Sequence, residues 1–108
     1  MQPTQLAERF FVAGQITTGD VDALSAQGFK MIICNRPDGE EPDQPTEAEI
    51  RQAVENAGMT FVFVPFNPAM PDPNMVPDFA AAWEQSEGKV LAYCRTGNRS
   101  SRLWAAIS

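Results

Sequence analysis

The chain has 108 residues, a formal net charge of -6 and a sequence pI near 4.4. At that length it builds one domain around a single core. Its acidic balance excludes nucleic acid or an anionic membrane as the main partner, because the long-range electrostatic term is repulsive.

Short strands are expected at 9–13 and 15–16, followed by a helix over 20–27 with Thr17 or Thr18 as its cap. A strand follows at 30–34. Residues 47–57 read as the second helix, where Thr46 with Glu49 three positions on forms a capping box. A strand is expected at 60–64. The third helix covers 75–85, where Val76, Phe79, Ala80 and Trp83 make one apolar face at i, i+3, i+4 and i+7. Residues 90–93 are the last strand, and a last helix begins at Ser100 with Trp104 and Ile107 facing the core. That helix reaches Ser108 after about two turns. A helix so short is marginal alone, so either it packs firmly or the chain is cut from a longer parent, and the second is the expectation. Gly28, Gly58 and Gly88 recur thirty residues apart, each in the place of a left-handed residue that ends a helix.

Helices alternating with strands at this spacing predict an α/β domain over 1–108. Its sheet is mostly parallel, of four to five strands, with helices on both faces. Ligands in such folds bind beyond the carboxyl ends of the strands. Three loops leave those ends, at 35–45, 65–74 and 94–99, so Arg36, Asp38, Glu40 and Asn67 are expected to face the third. The two longer loops are proline-rich and read as binding loops or lids.

Histidine is absent, which excludes a Ser-His-Asp triad, a Cys-His pair and histidine-ligated zinc. The two cysteines, Cys34 and Cys94, are too few for an all-cysteine metal site or a disulfide framework. No cofactor and no metal are expected. No apolar run is long enough to span a bilayer, and residues 1–13 lack the order of a secretion signal, so the expected compartment is cytoplasmic.

The chemistry concentrates in Cys94-Arg95-Thr96-Gly97-Asn98-Arg99-Ser100. A cysteine at a strand end, a glycine-containing turn and a helix start together make a cradle of amides that favours negative charge. A thiol there ionises more easily, and the thiolate is the nucleophile. The expectation is an ionised sulfur at the floor of a solvent-reachable bowl of amides, with Arg95, Arg99 and Arg102 adding positive charge. Cys34 ends an apolar strand and reads as core, with pairing to Cys94 as the lesser alternative. Two chemistries use such a cradle: phosphate-ester hydrolysis through a cysteinyl phosphate, and sulfane-sulfur transfer through a cysteine persulfide.

The loop resembles that of rhodaneses, which often read Cys-Arg-x-Gly-x-Arg-Ser or -Thr. Cysteine phosphatases of the tyrosine and dual-specificity type place five residues between cysteine and arginine; between Cys94 and Arg99 there are four. Residues 11–17, Cys34-Asn35-Arg36-Pro37-Asp38-Gly39-Glu40, residues 58–65 and the Cys94 loop together resemble the beta-lactamase-hydrolase-like, phosphatase-like domain family. That resemblance implies a cysteine-phosphatase-like fold with a rhodanese-type loop. It also implies a bacterial sulfane-sulfur transferase, alone or beside a sulfide-oxidising or persulfide-dioxygenase partner. Where the dual-specificity pattern has its acid after Val64-Pro65, this chain has Pro68, with Asp72 the nearby candidate acid. Tyr93 stands where a histidine often precedes the catalytic cysteine.

On this reading the domain is a sulfurtransferase. Cys94 takes a sulfane sulfur from thiosulfate or a persulfide and passes it to a thiol acceptor. Arg95, Thr96, Gly97, Asn98 and Arg99 supply amides, and Arg99 and Arg95 bind the donor's anionic end. Ser100 caps the helix and donates to the thiolate, while Arg36 and Asn67 are outer contacts. A cysteine phosphatase acting on a phosphate ester and a non-enzymatic anion-binding or redox module stay open as alternatives.

Overall fold

The computed structural model describes residues 2–108. Local chemistry sets the first two helix starts. Thr17 accepts from the Asp20 amide at 3.2 Å while Asp20 accepts from the Thr17 amide at 2.9 Å, closing a capping box at the head of α1 (Thr18–Ala26). Thr46 and Glu49 repeat the device at α2 (Glu47–Asn56). Each box satisfies amides that the first turn leaves unpaired. Both helices end before a left-handed glycine, Gly28 and Gly58. Gly88 differs from expectation. α3 (Met75–Gln85) ends in an extended Ser86, and Gly88 lies outside the left-handed region. It leaves room instead, since a Cβ there would collide with the Lys30 side chain at Cγ.

The strands are β1 (Thr4–Ala7), β2 (Phe10–Ala13), β3 (Phe29–Cys34), β4 (Thr60–Phe63) and β5 (Lys89–Tyr93), and α4 spans Asn98–Ile107. They form one five-stranded sheet in the order β1-β2-β5-β3-β4. β1 and β2 are antiparallel and all other pairs are parallel. The strand expected at 9–13 is β2, but its antiparallel partner is β1 on the N-terminal side, and Gln15 and Ile16 belong to no strand. The α/β class, the mostly parallel sheet and the helices on both faces are as expected.

Alternation along β3 and β5 sorts the core into two layers. Ile32, Cys34, Leu91 and Tyr93 pack with Val21 and Leu24 of α1 and Ile50 and Val54 of α2. Met31, Ile33, Val90 and Ala92 pack with Phe79 and Ala82 of α3 and Leu103 of α4. The final helix is bound to this second layer. Trp104 stacks on Phe10 with ring centroids 4.2 Å apart, and Trp83 meets both rings edge-on. No helix among the described residues is long and apolar enough to cross a membrane. The consequence for function is that β2, β3, β4 and β5 are parallel, so their carboxyl ends open on one edge, with β5 between β2 and β3.

Candidate active site

Cys94 follows the last residue of β5. Its amide donates to the Ala13 carbonyl at 3.3 Å, and the Gln15 amide donates to the Arg95 carbonyl at 3.2 Å. The β2–β5 ladder thus runs on past both strands and fixes the start of the cradle. Gly14 makes the approach possible, because a Cβ there would lie 2.9 Å from the Arg95 carbonyl oxygen. Gly97, at φ 92°, then turns the chain back, and its amide donates to Cys94 Sγ at 3.1 Å. Only glycine takes that conformation without cost.

Burial by itself would raise the thiol's pKa. The amides of Ser100, Thr96, Arg99 and Gly97, all directed at the sulfur, outweigh it and hold the thiol below its ordinary value of 9.0. This is the amide cradle expected from sequence. One part of the expectation fails: Cys94 is 0 % exposed. The sulfur lies beneath the amides of its own loop, with the Gly97 amide 3.1 Å from it. A cavity of about 300 Å³ lies beside this loop, lined by Thr96, Gly97 and Asn98 with Val12, Ala13 and Gly14 among others.

Arg99 sits on the first turn of α4 with its guanidinium held on two sides. Nη1 donates to Glu40 Oε2 at 2.8 Å and to the Phe66 carbonyl at 2.9 Å, and Nη2 donates to Glu40 Oε1 at 2.8 Å. The Glu40 hydrogen bond raises the Arg99 pKa against the opposing effect of burial, and the nearby Cys94 sulfur adds to it. Reciprocally, Arg99 holds the Glu40 carboxyl below its usual range. Three of the five guanidinium N–H groups are used. Among the described residues no oxygen accepts from the remaining two, on Nε and Nη2. They share one edge and form a fork suited to two oxygens of one oxyanion, with the Cys94 sulfur as the group that interacts with this guanidinium besides Glu40 and Phe66.

Arg36 does not reach the cradle as an anion contact. It is 3 % exposed and donates to Glu40 at 3.0 Å, Gln15 at 3.0 Å and Glu41 at 2.7 Å, so it fixes the acids that hold the cradle arginines. Glu41 also pairs with the exposed Arg95 at 3.3 Å. Asp38 turns away and accepts from the Glu47 amide at the head of α2. Asn67 is exposed and accepts from the Ala69 amide. Asp72 accepts from the Asn74 amide at 2.8 Å. Neither is tied to the Cys94 loop by a hydrogen bond or ion pair among the described residues. Thr96 accepts from the Asn98 amide.

Ser100 differs from expectation in both roles. The N-cap is Gly97, without a side-chain cap, and the buried Ser100 hydroxyl donates to Asn35 Oδ1 at 2.8 Å. Its amide, not its hydroxyl, serves the sulfur. Asn35 is the residue that sequence reasoning missed. Fully buried, it donates from Nδ2 to the Val64 carbonyl at 2.8 Å. Its backbone bonds Tyr93 and Phe66 at 2.8 and 2.9 Å. It thus joins the ends of β3, β4 and β5 to α4. Its only sequence signal is an amide side chain directly after a buried strand.

Both cysteines are free thiols. Cys34 pairs in register with Tyr93 and shares its face, which sends the next residue, Cys94, toward the other layer. Burial pushes the Cys34 thiol up to about 11, and its Sγ donates to the Arg36 carbonyl at 3.3 Å. Cys34 is a core residue. Among the described residues, no group of three or more His, Cys, Asp or Glu side chains is placed to hold a metal ion.

A parallel sheet whose central strand ends in a cysteine, an amide loop and a helix bearing a clamped arginine defines a cysteine-phosphatase-like domain. Solved structures agree. A candidate phosphatase of Neisseria meningitidis superposes with a TM-score of 0.82 at 42 % identity, covering 93 % of this chain and 71 % of that one. The core catalytic domain of a PP-IP phosphatase from S. cerevisiae gives 0.72 at 13 % identity, covering 97 % and 63 %, a likeness of fold alone. The chain belongs to the family described as beta-lactamase hydrolase-like protein, phosphatase-like domain, which matches residues 4–108. A beta-lactamase hydrolase-like protein of Agrobacterium fabrum is 38 % identical over 104 residues, 96 % of this chain and 24 % of its own length. The chain therefore spans about a quarter of that curated relative. The phosphatase wording belongs to the family description and to these solved structures.

Proposed function

We propose that the domain is a cysteine-dependent phosphohydrolase, in preference to the sulfurtransferase that its loop spacing first suggests. The observation that carries this reading is the Nε/Nη2 edge of Arg99, which no oxygen among the described residues occupies, on a guanidinium that Glu40 and Phe66 hold beside an amide-stabilised thiolate. That edge matches two non-bridging oxygens of a phosphoryl group. Membership of a phosphatase-like family supports the choice.

Access to the buried sulfur requires loop residues 95–98 to move first, and the cavity of about 300 Å³ beside them leaves room for it. Phosphoryl oxygens then take over the amides that now face sulfur. The Cys94 thiolate attacks phosphorus; the S–P bond forms as the P–O bond to the leaving group breaks, and its electron pair stays on the departing oxygen. Water then attacks the cysteinyl phosphate, the S–P bond breaks back to thiolate, and phosphate leaves with the water's oxygen. Amides and Arg99 stabilise the charge on the transferring group. Asp72 is bound within its own turn, so the reading commits to leaving groups that depart without a proton, such as aryl phosphates.

Sulfur transfer is the second reading, favoured by the four-residue spacing between Cys94 and Arg99 and by Pro68 at the acid position. There the thiolate attacks the outer sulfur of thiosulfate, an S–S bond forms, and sulfite leaves. One experiment separates the two. Under the first reading, wild-type protein releases phosphate from p-nitrophenyl phosphate, Cys94→Ser does not, and thiosulfate leaves the intact mass unchanged. A reductant-sensitive gain of one sulfur without phosphate release refutes it in favour of the second.

A further inference from the structure

The arginines of this acidic chain are almost all engaged. Arg9 donates to the Ser86 and Gly88 carbonyls, Arg51 pairs with Glu47, and Arg36, Arg95 and Arg99 share Glu40 and Glu41. Arg102 is the exception. It is exposed and makes no hydrogen bond or ion pair among the described residues. Its guanidinium lies 5.1 Å from the centroid of the Phe66 ring.

That position ties it to the site. Phe66 is also the residue whose carbonyl accepts from Arg99 at 2.9 Å. Arg99 and Arg102 are three residues apart on α4, which sets their Cβ atoms about 5–6 Å apart on one helix face. Phe66 is buried and forms a fixed wall that both arginines meet, Arg99 at its carbonyl and Arg102 at its ring. Stacking on an aromatic face holds the flat group without using its N–H donors. All five donors therefore stay available beside a clamped anion site. In a chain of net charge -6, with acids outnumbering bases, this cation is nonetheless without an ion pair among the described residues, against the residue that holds Arg99.

We infer that Arg102 is the specificity residue of the site, receiving a second oxyanion of a substrate whose reacting phosphoryl group lies in the Cys94 cradle. The substrate class is then a small phosphorylated molecule with a further phosphate or equivalent anion close to the first, preferred over a monoester without one. This rests on the phosphohydrolase reading for the identity of the reacting group.

Calorimetric titration tests it with inorganic phosphate and with imidodiphosphate, whose P–N–P bridge resists hydrolysis. Wild-type protein should bind imidodiphosphate about tenfold more tightly than phosphate, the scale of one added charge-assisted contact. In Arg102→Gln, which keeps a stem to cover Phe66, that ratio should fall to about one, and Arg102→Lys should recover part of it. No preference in the wild type, or a preference unchanged in Arg102→Gln, overturns the inference. Failure of both anions to bind overturns it together with the cradle. An intact, Arg102-dependent preference without ester hydrolysis would instead remove the phosphohydrolase reading and leave Arg102 as a second anion contact.

Discussion

Cys94 has a depressed pKa although nothing imidazole-like stands beside it. Burial works against the thiolate, and backbone amides are the leading contributions that reverse it, with the Arg99 guanidinium coupled to the sulfur beside them. Such a group contributes stability with a definite sign. Its folded pKa lies below the unfolded value, so the contribution is complete above the unfolded pKa and is lost as pH falls through the folded one. Each unit of depression corresponds to about 1.4 kcal/mol. The difference in unfolding free energy between wild type and Cys94→Ser should therefore grow in favour of wild type as pH rises toward 9.0, the ordinary thiol value. Denaturant titrations at a series of pH values measure it. A flat difference would mean that the sulfur is not ionised by the fold. Cys34, whose thiol is raised from 9.0 to about 11, lowers stability as pH rises through the unfolded value, but both proteins keep it and it cancels from the difference.

The cradle depends at the scale of elements on how closely β2 and β5 run past their own ends. Gly14→Ala places a methyl 2.9 Å from the Arg95 carbonyl oxygen, a backbone atom that cannot rotate away. The loop must shift, at a cost of about 1–3 kcal/mol, and phosphate affinity should fall at least about tenfold as the amides lose their common focus. Gly19→Ala is the control. Its nearest neighbour is Thr17 Oγ1 at 3.7 Å, and within α1 it should stabilise by about 0.5–1 kcal/mol with phosphate binding retained. Equal phosphate affinity in both variants would separate Gly14 from the cradle.

The same scale explains what was readable in the sequence. α3 is found at 75–85 as its periodic face predicts, and α2 starts where its capping box places it. These signals are local, and each sits within one turn or one face. β1 was missed because Thr-Gln-Leu-Ala has little strand character; pairing with β2 supplies it. The cradle was legible for a similar reason, being seven consecutive residues. The arginine network was not. Glu40 meets Arg99 across 59 positions and Asn35 meets Ser100 across 65, and no local pattern marks either pair. Sequence identifies the loops that converge on Cys94, but not that Asp38 turns to α2 while Glu40 turns to Arg99.

The domain couples this site to its core through α4. The helix begins in the cradle at Asn98, carries Arg99 and Arg102 on its first turns, and in its last turn stacks Trp104 on Phe10. Folding of the second layer and assembly of the anion site are consequently one event. An anion that binds only the assembled cradle must then stabilise the whole molecule. Phosphate at about 100 times its dissociation constant should add about 2.7 kcal/mol to the unfolding free energy. Arg99→Gln keeps α4 and its aromatic contacts but removes the charged fork, so the gain should nearly vanish while the variant still unfolds cooperatively. Denaturant curves with and without phosphate provide the comparison. If both proteins gain equally, the ion acts on the surface at large and α4 does not transmit occupancy of the Cys94 loop to the core.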